Sequence, residues 1–261
     1  MKLKDQVAIV TGAGEGIGRG IALAFAREGA HVAVCARTNT HVEETARQIA
    51  ALGRRTHCGF FDAADEAAVT RFVAETAERL GPPTLLVPNA ATMPFGDFAD
   101  MEVAAFDHCY AVKVKSAALF AKHCIPHMKK AGTGSIVFMA SVAGHTGMAR
   151  FSFYGAMNAA LIALARGLAL ELAPSGVRVN SVSPGTVDSP MLHRFAKELG
   201  SDMESMRALF DAGHPRGRIA TIEEIAATFV FLAGPDAANI TATDILCDGG
   251  FTFNGVPGRR G

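Results

Sequence analysis

Short runs of β-branched and aliphatic residues alternate, along almost the whole chain, with Ala-rich stretches of helical length. This is the pattern of repeated β-α-β units, and it constrains the fold more than any other feature. Strands are expected at Val7–Val10, His31–Val34, Thr56–Phe61, Leu85–Val87, Ser135–Met139, Arg178–Val182 and Ile245–Cys247. Helices are expected between them, at Ile17–Glu28, Val42–Leu52, Ala64–Leu80, Val103–Met128, Ala156–Leu172 and Ile222–Ala233. The strands are continuously apolar while polar faces appear only on the helices, which points to a parallel sheet covered on both sides. The expected fold is therefore α/β: a doubly wound, Rossmann-type sheet of about seven strands in one unit spanning residues 1–261.

One segment breaks the rhythm. From Ser189 to Ile219 there is no strand, and Gly200, Gly213, Pro215 and Gly217 punctuate a Met- and Phe-rich stretch. A long insertion near the carboxyl end of such a sheet is well placed to be a lid over a ligand, here residues 189–219. Met191, Leu192, Phe195, Met203, Met206 and Phe210 would give that lid an apolar underside. Packing of two surface helices against each other would explain the same residues.

Composition narrows the class of partner. With 49% hydrophobic and 19% charged residues the chain is too apolar for disorder, and 25 basic against 25 acidic side chains leave no net field. Attraction to nucleic acid or an anionic membrane has no support, so small molecules or copies of the chain itself are the expected partners. Five cysteines without a CxxC pair suit a reducing compartment, and the amino-terminal region offers only the apolar run Val7–Val10 where a signal peptide needs more. The longest apolar helical stretches are interrupted by Arg166, Glu171 or Gly234, so no membrane span is expected and a cytoplasmic protein is. His123 and His127 flank Cys124 at helical metal-ligand spacing, but Pro126 lies between them and no third ligand is evident. No metal is expected.

After the first strand comes Thr11-Gly12-Ala13-Gly14-Glu15-Gly16-Ile17-Gly18, running straight into a helix. Gly12 permits a tight turn, Gly16 lets the backbone approach a pyrophosphate at the positive helix end, and Gly18 allows close packing of helix on strand. The position at the first strand-to-helix junction is where dinucleotide binding requires such a turn.

The spacing of these glycines resembles the short-chain dehydrogenase/reductase family, and the resemblance extends over nearly the whole chain. Asp62, Asn89-Ala90-Ala91, Ser141 with Tyr154, Pro184-Gly185 and Asp248-Gly249-Gly250 all stand where that family has its motifs. The resemblance implies a nicotinamide dinucleotide held by the glycine turn, by Asp62 and Ala63 at the adenine, by Asn89 and Ala90, and by Pro184, Gly185, Val187 and Ser189 at the carboxamide end. It also implies a homotetramer, in which helices Val103–Met128 and Ala156–Leu172 pack across subunits.

Which dinucleotide is read at the end of the second strand, where a carboxylate suits a free ribose hydroxyl and an arginine suits a 2′-phosphate. The sequence there is Val34-Cys35-Ala36-Arg37, with no acid, which favours NADP(H) over NAD(H). Glu15 argues the other way, because an inward carboxylate in the glycine turn would repel a phosphate.

For chemistry, the resemblance assigns Tyr154 to proton transfer with a carbonyl or alcohol substrate and Ser141 to holding the substrate oxygen. The family's lysine, four residues beyond the tyrosine, is here Asn158; the family's asparagine, in the helix after the fourth strand, is here Lys113. The two residue types have exchanged places. A free tyrosine titrates near 10, and lowering it by two to three units takes about 3–4 kcal/mol, roughly what one ammonium supplies at ~4 Å and an effective dielectric of about 20. Asn158 cannot supply it, so Lys113 is expected to reach inward while Asn158 contacts the ribose hydroxyls or a water. Three readings stay open: a working oxidoreductase with Lys113 as the cation, a dinucleotide-binding protein without turnover, and a non-redox lyase or isomerase using Ser141 and Tyr154. His145 could border the substrate or be an ordinary loop histidine, and Lys115 is expected in solvent.

Overall fold

A computed structural model describes residues 1–254 of the chain; the last residues of the expected 1–261 unit, 255–261, lie outside the described part. Seven strands form one sheet: β1 (Val7–Thr11), β2 (His31–Ala36), β3 (Thr56–Phe60), β4 (Leu85–Val87), β5 (Gly134–Met139), β6 (Val177–Pro184) and β7 (Asp244–Cys247). Their order is β3-β2-β1-β4-β5-β6-β7 and every pair is parallel. The sheet thus winds outward in both directions from the β1–β4 pair. A crevice opens there at the carboxyl edge, where ligands of such sheets bind.

Among the described residues there are nine α-helices: α1 (Gly16–Arg27), α2 (Asn39–Ala51), α3 (Glu66–Leu80), α4 (Val103–Tyr110), α5 (Ser116–Ala131), α6 (Ser152–Leu172), α7 (Pro190–Glu198), α8 (Met203–Gly213) and α9 (Ile222–Ala233). Successive strand residues point to opposite faces and feed two separate cores. Ala8, Val10, Val32 and Val34 pack under α1, α2 and α9, with Phe25 and Phe229 at the centre. Val7, Ile9, Ala33 and Phe138 pack under α3, α5 and α6, with Phe72 and Phe120. Gly20 lets α1 lie directly on α9, since a Cβ there would collide with Ile222.

Two local features depart from the sequence expectation, and one segment takes the helical form it allowed. The single helix expected at Val103–Met128 is interrupted by a wide π-type turn, Ala111–Lys115, between α4 and α5, and α5 continues past Pro126 to a left-handed Gly132. The segment after Ser189 forms two helices, α7 and α8, begun by Pro190 and by Asp202, whose side chain accepts the Ser205 amide. The expectation of no membrane-length segment also needs correction. Residues Ser152–Ser175 are long and apolar enough to cross a bilayer despite Arg166 and Glu171, with a mean hydropathy of 1.4. In the fold this segment is α6, which buries Leu161, Ile162, Ala165, Ala169 and Leu172 against the sheet.

Phe229 is fully buried where α9 meets α1 and the sheet. Phe229→Ala is expected to destabilise the protein by about 3–5 kcal/mol in denaturant titration; a loss below about 1 kcal/mol would contradict this packing.

Candidate active site

Two adjoining cavities of about 300 and 510 Å³ occupy the crevice at the carboxyl edge. Their shared wall includes Gly12, Glu15, Met93 and Arg194. Of the residues expected at the site, Gly16, Ile17, Gly18, Asn89, Pro184, Gly185, Val187, Ser189, Ser141, Tyr154 and Lys113 line the smaller cavity. Gly14, Arg37, Asp62, Ala63 and Ala90 line the larger one. Asn158 lines neither.

The glycine turn is a cradle that side chains would fill. Gly12 has φ +62° and Gly16 φ +57°, and a Cβ at Gly12 would come within 2.8 Å of the Ala90 Cα. A Cβ at Gly18 would collide with the Gly12 carbonyl and the Asn89 amide. The turn is fastened across the switch point. The Asn89 and Ala90 amides both donate to Thr11 Oγ1 at 3.0 Å, and Asn89 Nδ2 donates to the carbonyls of Thr11 (3.0 Å) and Gly12 (3.2 Å). Helix α1 starts from this turn with no side-chain cap and no acid in its first turn, so its amino end presents free amides and a positive dipole. These residues fit a pyrophosphate.

Glu15 does not point an unpaired carboxylate at that position. It forms an ion pair with Arg194 of α7, 179 residues away in sequence. On the adenosine side, Arg37 is exposed and makes no hydrogen bond or ion pair among the described residues. Asp62 holds its own loop through the Ala64 amide at 2.9 Å.

Ser141 and Tyr154 meet because two glycines remove the material between them. Ser141 caps a 3-10 turn, Val142–Gly144, its Oγ accepting the Ala143 amide at 3.2 Å. A Cβ at Gly144 would lie 2.8 Å from the Ala159 nitrogen, and one at Gly155 would lie 2.6 Å from the Ala143 carbonyl oxygen. The turn therefore rests directly on α6, and Tyr154 sits in the first turn of that helix. Gly144 and Gly155 were visible signals in the sequence that motif matching passed over. His145 borders neither cavity. Its Nε2 lies 2.8 Å from Asp244 Oδ2 and 3.3 Å from Ser183 Oγ, tying the loop after Ser141 to β6 and β7.

The π-type turn sets the face that Lys113 presents. Lys113 is 1% exposed, lines the smaller cavity, and carries its ammonium over the Tyr154 ring, 5.1 Å from the centroid. No hydrogen bond or ion pair reaches this ammonium among the described residues, whereas Lys115 faces solvent. Burial lowers Lys113 from its ordinary value to about 8, with the nearby Cys109 thiol acting weakly the other way. Tyr154 moves oppositely to the sequence expectation: burial pushes its hydroxyl above the usual value, while the Ser141 and Asn158 side chains pull it back. The ammonium lies over the ring rather than at the oxygen. Asn158, expected at the ribose hydroxyls or a water, lines neither cavity. It is fully buried, its Nδ2 donates to the Tyr154 carbonyl at 2.8 Å, and its Oδ1 is buried without a partner.

Comparison with known proteins agrees with this architecture. A family model described as enoyl-(acyl carrier protein) reductase matches residues 12–252. The cis-4-hydroxycyclohexanecarboxylate dehydrogenase of Sinomonas cyclohexanicum is 34% identical over 249 residues, covering 95% of this chain and 97% of its own. The 2-(S)-hydroxypropyl-CoM dehydrogenase 3 of Xanthobacter autotrophicus is 35% identical over 252 residues, covering 96% and 98%. A crystal structure of a short-chain type dehydrogenase/reductase from Mycobacterium marinum superposes with a TM-score of 0.86 at 31% identity, covering 96% of each chain. The chain belongs to the short-chain dehydrogenase/reductase family. It is an oxidoreductase of that type, from a family that binds a nicotinamide dinucleotide.

The Glu15–Arg194 pair has a measurable consequence for that ligand. Arg194→Ala leaves the Glu15 carboxylate free beside the positive end of α1, and the dinucleotide dissociation constant should rise roughly three- to tenfold at low salt. Adding Glu15→Gln to the same chain should recover most of the loss in a calorimetric titration. An unchanged constant in Arg194→Ala would show that the pair has no bearing on the site.

Proposed function

We propose that this chain transfers a hydride between NADP(H) and a small ketone or secondary alcohol, with Tyr154 as the proton carrier. The observation that carries this reading is the meeting of Ser141, Tyr154 and Lys113 in one cavity that adjoins the glycine cradle. Two of the relatives are named as dehydrogenases of hydroxylated small molecules, which supports the same class of substrate.

The bound nicotinamide would supply or accept the hydride. The glycine turn from Gly12 to Gly18 and the amino end of α1 would hold the pyrophosphate, Asp62, Ala63 and Ala90 the adenosine side, and Asn89, Pro184, Gly185, Val187 and Ser189 the nicotinamide side. Arg37 would bind a 2′-phosphate. In support, its guanidinium has no hydrogen bond or ion pair among the described residues, no carboxylate stands at the end of β2, and the opposing carboxylate of Glu15 is taken up by Arg194. Arg37→Ala is expected to weaken NADP(H) at least about tenfold and leave NAD(H) nearly unchanged, since a charge-assisted phosphate contact is lost only with the former. Equal effects on both would overturn the NADP assignment.

Ser141 Oγ holds the substrate oxygen, and Tyr154 passes a proton to it. A hydroxyl that is protonated at neutral pH, as burial keeps this one, is ready to donate when a ketone is reduced. When the proton leaves, the charge of the Lys113 ammonium beside the ring stabilises the tyrosinate. Asn158 fixes the turn that carries Tyr154 and offers Oδ1 to a bridging water. With Lys113 titrating at about 8, its charge is present below that value and lost above it. NADPH-dependent reduction of a ketone panel should therefore fall on the alkaline side of about pH 8. In Lys113→Met the rate should drop about a hundredfold, within the range for removal of a charge-stabilising group, and the break near pH 8 should vanish. Cofactor binding without turnover of any ketone would overturn the redox reading, and an unchanged pH profile in Lys113→Met would overturn the role of the lysine.

The same reading takes residues 1–261 as one functional unit in which α7 and α8, from segment 189–219, act as the lid. Met191, Leu192 and Phe195 of α7 already face the smaller cavity. It also includes a homotetramer assembled through α4–α5 and α6. Only 33% of the apolar window in α6 is buried within the chain, and Leu170 and Val103 stand exposed on these helices. A cytoplasmic location is supported by five cysteines that are all free thiols.

A further inference from the structure

The smaller cavity is lined by two unlike surfaces. The polar one is compact: Ser141, Tyr154 and Lys113, with the glycine turn and the loop after β6 beside them. Away from these groups the wall is made of thioethers and aromatic rings, from Met93, Met148, Phe151, Phe195, Phe210 and Phe251. Phe151 stands next to the reacting position, its ring centroid 6.4 Å from that of Tyr154. It is braced from behind, because Phe95, Phe151 and Phe195 form a triangle with centroids 4.8, 5.0 and 5.6 Å apart. Such a cluster presents a rigid apolar face at defined angles, while methionines adapt to the outline of what it meets.

Little on this wall remains to recognise a polar or charged substituent. Glu15 and Arg194 neutralise each other at the mouth. His214 and Asp248 stand close by without lining the cavity, and both are held by internal bonds: His214 uses Nδ1 on the Phe210 carbonyl at 2.7 Å and accepts the Thr186 amide on Nε2 at 3.2 Å, and the Asp248 carboxylate accepts the Gly250 and Thr252 amides at 2.9 and 2.7 Å. Among the described residues the Lys113 ammonium has no hydrogen bond or ion pair, and it lies against the Tyr154 ring rather than among the aromatic and thioether groups. A carboxylate or phosphate on the body of a substrate would lose its water and find no counter-charge there.

We infer that the substrate is a neutral ketone or secondary alcohol whose body is an apolar ring, aromatic or alicyclic, seated on Phe151 and Phe195. This rests on the oxidoreductase reading for the reacting group, while the class of the body follows from the cavity wall alone. A cavity of about 300 Å³, part of which faces the nicotinamide side, suits a small ring system rather than an extended chain. Phe195 comes from α7, so the segment expected to close over the site also supplies part of its selectivity.

The test uses two ketones that differ in one group: 4-methylacetophenone and 4-acetylbenzoate, the same ring with a methyl or a carboxylate opposite the carbonyl. A third, 4-methylcyclohexanone, distinguishes an alicyclic from an aromatic body. The full chain is measured with each in two ways, by NADPH consumption and by calorimetric dissociation constant in the presence of oxidised cofactor. The neutral aromatic or alicyclic ketone is expected to bind at least about tenfold more tightly than the acid and, where turnover occurs, to show at least that advantage in kcat/KM. Phe195→Ala should shrink this ratio chiefly by raising KM for the neutral ketone. A ratio smaller than about tenfold, or a preference for the acid through Lys113, overturns the inference. Absence of all turnover with the tenfold binding preference intact would overturn the oxidoreductase reading and leave the ligand class standing.

Discussion

The crevice depends on how the chain closes the gap between β1 and β4. At this pair the winding of the sheet reverses, so the two connections leave in opposite directions and no helix covers the edge between them. Thr11 and Asn89 fill the gap with hydrogen bonds running both ways between side chain and backbone. They fix the glycine turn at its start, and with it the direction in which α1 presents its amino end. The Asn89 amide is thereby committed to the protein's own carbonyls. Asn89 makes these bonds with Pro88 before it and Ala91 two residues after it.

The second determinant is the desolvation of Lys113. Bringing an ammonium into the protein without a partner opposes its charge, which is why its titration falls to about 8. The face of the Tyr154 ring compensates in part, since an ammonium over an aromatic ring gains roughly 0.5–2 kcal/mol. The cation reaches Tyr154 from the turn Ala111–Lys115, while the position one helical turn after the tyrosine on α6 is held by the amide Asn158. The two sites remain joined through Tyr154, with Lys113 on its ring and Asn158 on its carbonyl. Buried lysine and buried amide are thus parts of one arrangement around the same tyrosine.

The sheet was legible because its strands are apolar runs bounded by turn residues, and all seven lie within a few residues of where the pattern puts them. Helix interruptions were not: Ala111–Lys115 has the composition of any helix, and nothing local marks the π turn that packs beside α6. The start of α6 was hidden too, since Ser152-Phe153-Tyr154-Gly155 carries no helical periodicity, and the close approach at Gly155 explains why. Glycine motifs and the Ser141–Tyr154 pair could be read locally, because each is a short stretch at a strand end. The partner of Glu15 could not, as it stands 179 residues away on α7. Likewise the rise in Tyr154 comes from burial, which no local spacing reveals.

The central claim is that Lys113 is a buried, unpaired ammonium against Tyr154, and its own titration tests this most directly. The side-chain Cε resonance of Lys113, assigned by comparison with Lys113→Met and followed by heteronuclear NMR from pH 6 to 11 in the folded protein, is predicted to titrate with a midpoint at about 8. A midpoint at the ordinary lysine value of about 10.4 would contradict the account, because it would place the ammonium in water.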